Sequence, residues 1–202
     1  MHGVVLKKLG HNVHIIEARE PDQLGAEAAG LSLGPHAQEL MNTYVSDVHD
    51  FAITTPATQI LSFDGKVLTE LPVALSTVTS RWSTVYSQLK AAFEAPASGK
   101  GKSVYETATR AASIVPDGEK LTVVCKKNSQ TENISLTADM VISADGAQSS
   151  IRKQVLEGIA PKYAGYLAWR GHIPESRIPT FMKGTLDGKL CMLSIDGSYI
   201  IA

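Results

Sequence analysis

The stretch Val141-Ile-Ser-Ala-Asp-Gly-Ala-Gln-Ser-Ser-Ile-Arg152 carries strand, turn and helix signals in direct succession, and so commits the chain to an α/β unit. Val141, Ile142 and Ala144 predict a short buried strand, and Asp145-Gly146 is a turn pair. Ser149 or Ser150 can cap a helix running into Ile151, Val155 and Leu156. Such an elbow lies at the carboxyl end of a strand, where α/β proteins bind ligands. The free N–H groups and positive dipole of the next helix suit a phosphate or sugar. A plain αβ connection can use the same residues, so the rest of the chain has to decide between the two.

The amino-terminal stretch bears on that decision. His2 to Leu9 places Val5, Leu6 and Leu9 at helical spacing, Gly10 stops the helix, and Val13-His-Ile-Ile-Glu17 follows as a strand. In a dinucleotide-binding βαβ unit the helix is preceded by a strand and Gly-x-Gly-x-x-Gly, whose backbone receives the pyrophosphate. The acidic residue ending the second strand holds a ribose hydroxyl. Only the second half of that pattern is in the sequence. Glu17 stands at the ribose position, or is a solvated charge at a strand end. Gly3 is the last glycine of the fingerprint, or a residue of the first helical turn. Arg19 is a cation for the adenosine or diphosphate side, or a surface arginine.

Further along, Gly25-Ala-Glu-Ala-Ala-Gly-Leu-Ser-Leu-Gly-Pro35 supplies small residues that let backbone approach a flat ring or a phosphate, and Gly-Pro opens a helix through His36, Leu40 and Met41. Ile60 to Phe63 and Val67 to Leu71 flank Asp64-Gly65 as a hairpin. Trp82 leads into Val85, Tyr86, Leu89 and Phe93, a helix with an apolar stripe. Pro96 to Ser103 reads as a loop, and its lysines lack phosphate-loop spacing. Val104 to Thr107, Ala112 to Val115, Leu121 to Cys125 and Ile134 to Leu136 predict an antiparallel meander. Tyr163 to Gly171 alternates large and small residues like a strand, and short apolar runs with Asp-Gly turns continue to Ala202.

Composition excludes several classes. With 44% hydrophobic and 19% charged residues, the 202-residue chain can build one core or two small ones. A net charge of −1 gives no case for nucleic acid or an anionic membrane, and no apolar run reaches the ~18 residues of a span. Cys125 and Cys191 stand far apart without metal-ligand spacing, so no metal site or disulfide framework is expected. No signal-peptide pattern is present, and a reducing, cytoplasmic setting is the expectation.

The spacing Asp145-Gly146-x-x-Ser149-x-x-Arg152 resembles the Asp-Gly motif of FAD-dependent aromatic-ring monooxygenases, the para-hydroxybenzoate hydroxylase-like flavoproteins. Ala29-Gly-Leu-Ser-Leu-Gly-Pro35 and Gly165-Tyr-Leu-Ala-Trp-Arg-Gly171 are similar to strings of the 2,6-dihydroxypyridine 3-monooxygenase subgroup. His36 departs from the asparagine common there. Trp82 stands where the wider family places a cofactor-touching arginine, although it also reads as a large core or interface side chain. Arg170 can face an anionic or hydroxylated ring, or serve as a structural ion-pair residue.

The resemblance implies a partial FAD/NAD(P)-binding Rossmann-like domain of α/β class, with an antiparallel β substrate domain inserted and the first strand missing. Residues 1–55 and 81–160 would form the FAD-binding part, and 56–80 and 161–202 the substrate part. Glu17, Arg19, Gly30, Leu31, Ser32, Asp145, Gly146 and Arg152 would contact FAD. NAD(P)H would be the co-substrate and a small aromatic or heteroaromatic ring the substrate. No catalytic side chain is implied, because the cofactor carries the chemistry. The family pattern lacks its counterparts at both ends of the chain, so a fragment with exposed apolar edges is expected. An inactive fragment or degenerate paralogue without FAD, and an NAD(P)-dependent reductase with an inserted β domain, stay open as alternatives.

Overall fold

A computed structural model describes residues 1–25, 29–55, 57–72, 77–96, 101–129, 132–156, 158–171, 173–195 and 198–202. The expected loop at 97–100 and the Asp196-Gly197 turn lie outside these residues. Helix α1 (His2–Lys8) leads through Gly10, at a φ of 93°, into strand β1 (Val13–Ile16). Strand β2 (Gly30–Leu33) is followed by α2 (Pro35–Tyr44), where proline at the first turn costs no hydrogen bond. Short strand β3 (Ile53–Thr54) precedes the hairpin of β4 (Ala57–Leu61) and β5 (Val67–Pro72). Gly65 turns that hairpin at a φ of 80°, a conformation open to glycine at little steric cost. Strand β6 (Val78–Arg81) runs straight into α3 (Trp82–Glu94).

The described residues form four small sheets. Strand β7 (Ser103–Glu106) pairs with β1 in parallel, Val13 opposite Ser103 and Ile16 opposite Glu106. The sequence grouped β7 with the antiparallel meander. The structure pairs it with β1 in parallel instead, outside the meander. The meander itself is β8 (Thr109–Asp117), β9 (Lys120–Lys127) and β10 (Asn133–Ala138) in the order β10-β9-β8. Strands β2, β6 and β3 form a third sheet in the order β2-β6-β3, so the expected boundary between residues 80 and 81 runs through β6.

The fourth sheet joins distant parts of the chain. Strands β11 (Leu190–Ile195) and β12 (Ser198–Ile201) extend the β4–β5 hairpin in the order β12-β11-β4-β5. The hairpin and the carboxyl-terminal stretch therefore meet as expected. Their sheet is mixed, however, since β11 runs parallel to β4 with Leu190 opposite Thr58. A purely antiparallel sheet needs a reversal between every pair of neighbours, and the chain reaches β11 from the same end as β4.

Two expected strands are not strands. Residues 141–144 carry no ladder, and neither do residues 163–171. Period-2 patterning makes a strand only when a neighbour accepts its backbone hydrogen bonds. Among the described residues neither stretch has such a neighbour. The helix of the elbow does form, as α4 (Ser150–Val155), and α5 (Thr180–Leu186) was not foreseen.

The main core lies between α2, β2, β6 and α3, where Leu33, Met41, Val48, Val78 and Val85 are buried together against Leu31, Phe51 and Leu89. Beside it, α1 packs on β1 and α3. The meander holds Val123 and Cys125 buried, and α4 adds Ile151. No helix among the described residues is long and apolar enough to cross a membrane.

Candidate functional site

The site residues fall into three clusters. Glu17 follows β1 at its carboxyl end, beside the end of β7. Its N–H donates to Glu106 O at 2.8 Å and its carbonyl accepts from Thr109 N at 2.9 Å, so the backbone there is held from both sides. The half-buried side chain accepts through Oε1 from Arg19 N–H at 2.9 Å. Arg19 thus contributes its backbone to Glu17, while its side chain is exposed.

Gly3 explains why α1 can lie so close to this strand. A Cβ at Gly3 would sit 2.8 Å from Ile15 Cδ1 and 3.4 Å from Phe93 Cε2, both in the packed layer between α1, β1 and α3. Gly3 therefore serves close helix–strand packing.

Gly30, Leu31 and Ser32 lie on β2, paired with Arg81, Ser80 and Thr79 of β6. A Cβ at Gly30 would meet no heavy atom within 4 Å, and Gly30 and Ser32 are exposed, so this edge is open to a flat group. Trp82 N–H donates to Ala29 O at 2.8 Å, which sets the first turn of α3 against the start of β2. His36 is exposed on the first turn of α2.

The elbow is built by its own side chains. Ser149 caps α4, its hydroxyl accepting from Arg152 N–H at 2.8 Å. Gly146 turns at a φ of 77°, which a residue with a side chain rarely adopts. Ser143 donates to Asp145 Oδ1 at 2.6 Å. Burial works to raise the Asp145 carboxyl, but the hydroxyls of Ser143 and Ser149 outweigh it and hold the group below its ordinary value. The Arg152 guanidinium folds back on the turn, donating from Nη1 to Gly146 O at 3.3 Å and from Nη2 to Ala147 O. Arg152 was expected to face a ligand. In the structure two of its five N–H donors bond carbonyls of the same loop. Arg170 lies exposed in a stretch with no strand partner.

Several interactions in this region left no sequence pattern. Tyr86 and Tyr105 share a hydroxyl contact at 3.1 Å, and Trp82 stacks on Tyr86. The i, i+4 spacing of Trp82 and Tyr86 was readable as a helical pair, whereas Tyr105 comes from another element. Glu106 accepts from Lys127 at 2.7 Å and lies 2.9 Å from His14 Nε2, tying β1, β7 and β9 together. Among the described residues no group of three or more His, Cys, Asp or Glu side chains is placed to hold a metal ion.

A parallel β1–β7 pair flanked by helices, a β-meander and a mixed sheet reaching back to a hairpin define a mixed α/β architecture similar to that of FAD-dependent monooxygenases. No protein-family model matches the chain. A stretch of 51 residues is 45% identical to 3-amino-4-hydroxybenzoate 2-monooxygenase of Streptomyces cremeus, covering 25% of this chain and 13% of that protein. Over 65 residues the chain is 37% identical to 2,6-dihydroxypyridine 3-monooxygenase of Paenarthrobacter nicotinovorans, covering 32% of this chain and 16% of that protein. The fold superposes on 2,6-dihydroxypyridine-3-hydroxylase from Arthrobacter nicotinovorans with a TM-score of 0.77 at 21% identity, over 98% of this chain and 47% of that one. The chain thus spans about half of that structure, and its curated and structural neighbours are FAD-dependent aromatic-ring monooxygenases.

Proposed function

We propose that the chain forms part of a flavin-dependent monooxygenase that hydroxylates a small aromatic or heteroaromatic ring with FAD, NAD(P)H and O₂. The observation that carries this reading is the fold likeness over 98% of the chain. In this reading α1, β1, β7 and α4 belong to a partial Rossmann-like nucleotide domain of residues 1–55 and 81–160. Residues 56–80 and 161–202 belong to the substrate side, which the shared β12-β11-β4-β5 sheet supports.

The residues fit FAD in part. Glu17 keeps Oε2 for a ribose hydroxyl while Oε1 is committed to Arg19 N–H. The open edge at Gly30 to Ser32 accepts a flat ring, with Leu31 half-buried behind it. Asp145 and Gly146 present a turn whose carboxylate stays charged. The diphosphate is less well served, because Arg152 commits two of its five donors to the Gly146 and Ala147 carbonyls. Bound FAD, reduced by NAD(P)H, would supply the O₂ activation, and the protein would supply placement and exclusion of water.

With two of the five Arg152 donors bonded to its own loop, a companion reading follows, in which the chain by itself holds FAD too weakly to act as an enzyme. Each N–H bond to a phosphate oxygen is worth ~1.5–3 kcal/mol, and a micromolar Kd corresponds to about 8 kcal/mol in total. Losing two such bonds removes about 3–6 kcal/mol of that total. Titration of the purified chain with FAD, followed by flavin fluorescence, is expected to give a Kd above about a micromolar. Glu17→Ala should weaken it further by about tenfold, the loss of roughly one charge-assisted hydrogen bond. Unchanged affinity in Glu17→Ala refutes the ribose assignment, and stoichiometric flavin carried through purification refutes the weak-binding reading.

A further inference from the structure

The carboxyl ends of α1, α2 and α3 meet around one open cleft of about 250 Å³, which Lys7, Lys8, Tyr44 and Ala95 border. The chain leaves α1 there to enter β1, so the cleft lies away from Glu17 at the far end of that strand and shares no residue with the three clusters described above. Helix carboxyl ends present carbonyls without intrahelical partners and a negative dipole. Lys7 answers that need, since it is buried and its ammonium donates to Phe93 O and Ala95 O. An ammonium has three donors. The third finds no oxygen or nitrogen among the described residues, while Lys7 still borders the cleft. Lys8 adds a second, exposed cation with no ion-pair partner among the described residues, and the half-buried Tyr44 hydroxyl has no hydrogen bond among them. No carboxylate borders this cleft among the described residues, because Glu94 stands 3.6 Å from Lys90 and borders the separate cleft beside Tyr105. The other lining side chains, including Val45, Ala92 and Pro96, are apolar. Helix ends account for one buried lysine, but not for a second cation and a free phenol around the same apolar cleft.

We propose that this cleft binds a small carboxylate with an apolar body, of the size of a medium-chain fatty acid. The carboxylate accepts from the Lys7 and Lys8 ammonium groups and from the Tyr44 hydroxyl, and the body lies along Val45, Ala92 and Pro96. Charge-assisted bonds hold the head. Each buried methylene of the body raises the affinity by about fourfold. A bare inorganic anion has the charge without the body, and a neutral amide has the body without the charge, so both are poorer ligands. The bound carboxylate ties together the ends of three helices and therefore stabilises the folded chain by mass action.

The site needs no flavin, so its test is independent of the function proposed above. The full chain is titrated calorimetrically with octanoate, octanamide and inorganic phosphate, and hydrogen exchange followed by mass spectrometry locates the bound octanoate. Octanoate is expected to bind at one site per chain, about tenfold or more tighter than either control, and to slow exchange in the peptides that end α1 and α3. Lys8→Gln and Tyr44→Phe leave the Lys7 contacts with α3 intact. Each is expected to weaken octanoate by about five- to tenfold while leaving octanamide unchanged. Ala92→Met fills the cleft without altering its charge and is expected to abolish the protection. Octanoate that binds no tighter than octanamide overturns the site, and so does octanoate binding that survives Ala92→Met and Lys8→Gln undiminished, since it then sits on apolar surface elsewhere.

Discussion

At the scale of single residues, the polar groups that matter lie between elements. Lys7, on α1, is only 4% exposed. Its ammonium donates to Phe93 O and Ala95 O, the carbonyls that end α3, and lies 5.6 Å from the Phe93 ring centroid. Helix ends leave such carbonyls without intrahelical partners, and a cation there also meets the negative end of the dipole. Lys7→Met retains the stem and strips the carbonyls of their donor, so chemical denaturation should show a loss of about 1–3 kcal/mol.

Glu106 is the other such group. The Lys127 ammonium holds its carboxyl below the ordinary value; burial opposes this, and His14 adds to it. A carboxyl whose folded pKa is depressed stabilises the fold above its unfolded value. That contribution is lost as pH falls through the folded pKa. Glu106→Gln should therefore cost about 1–2 kcal/mol at neutral pH, with partial exposure limiting the figure. The difference in urea midpoint from the wild type should close as pH drops below about 4.3.

At the scale of elements, close approaches of backbone set the geometry around the candidate site. Gly101 lies two residues before β7, and a Cβ there would lie 2.4 Å from His11 O and 3.0 Å from Gly10 C. Both are backbone atoms of the turn between α1 and β1. Neither can rotate away, so Gly101→Ala must push β7 off the β1 edge. Gly3→Ala meets chiefly the tip of Ile15, which can change rotamer. Overpacking costs about 1–3 kcal/mol. Gly101→Ala is expected at or above the upper end of that range and Gly3→Ala at the lower end, a ranking that paired thermal melts can check. The α4 cap and the β4–β5 turn follow local chemistry, since serine and Asp-Gly need nothing from the rest of the chain.

The whole molecule exposes more surface than its mass requires. Its accessible area is 14249 Å², whereas a compact monomer of this size exposes about 9,200 Å². Many large apolar side chains lie exposed. Every residue of β5 and β12 is exposed, and Phe63, Leu68, Phe181, Tyr199, Ile200 and Ile201 are all open to solvent. Contiguous apolar surface and unpaired strand edges favour association. Light scattering should therefore find the chain self-associating at micromolar concentration, with strong binding of a hydrophobic dye. Leu68→Lys with Ile200→Lys should shift it toward monomer. A monodisperse, dye-silent wild-type chain would contradict this expectation.

Local pattern alone determined α1, β1, α2, the β4–β5 hairpin, α3 and the capped start of α4. Each rests on periodicity, a breaker or a cap within a few residues. Glu17 at a strand end and Gly146 at a turn were legible for the same reason. Partnership was decided only in three dimensions. Residues 141–144 and 163–171 have strand-like composition and no ladder, while β7 left the meander for β1. The parallel join of β11 to β4 spans more than a hundred residues of chain. Arg152 turned onto its own loop, and Tyr105 reached Tyr86 from another element. Strand propensity is a property of a segment, but a ladder, a paired charge or a ring contact belongs to two segments. Which two come together is set by the packing of the whole chain.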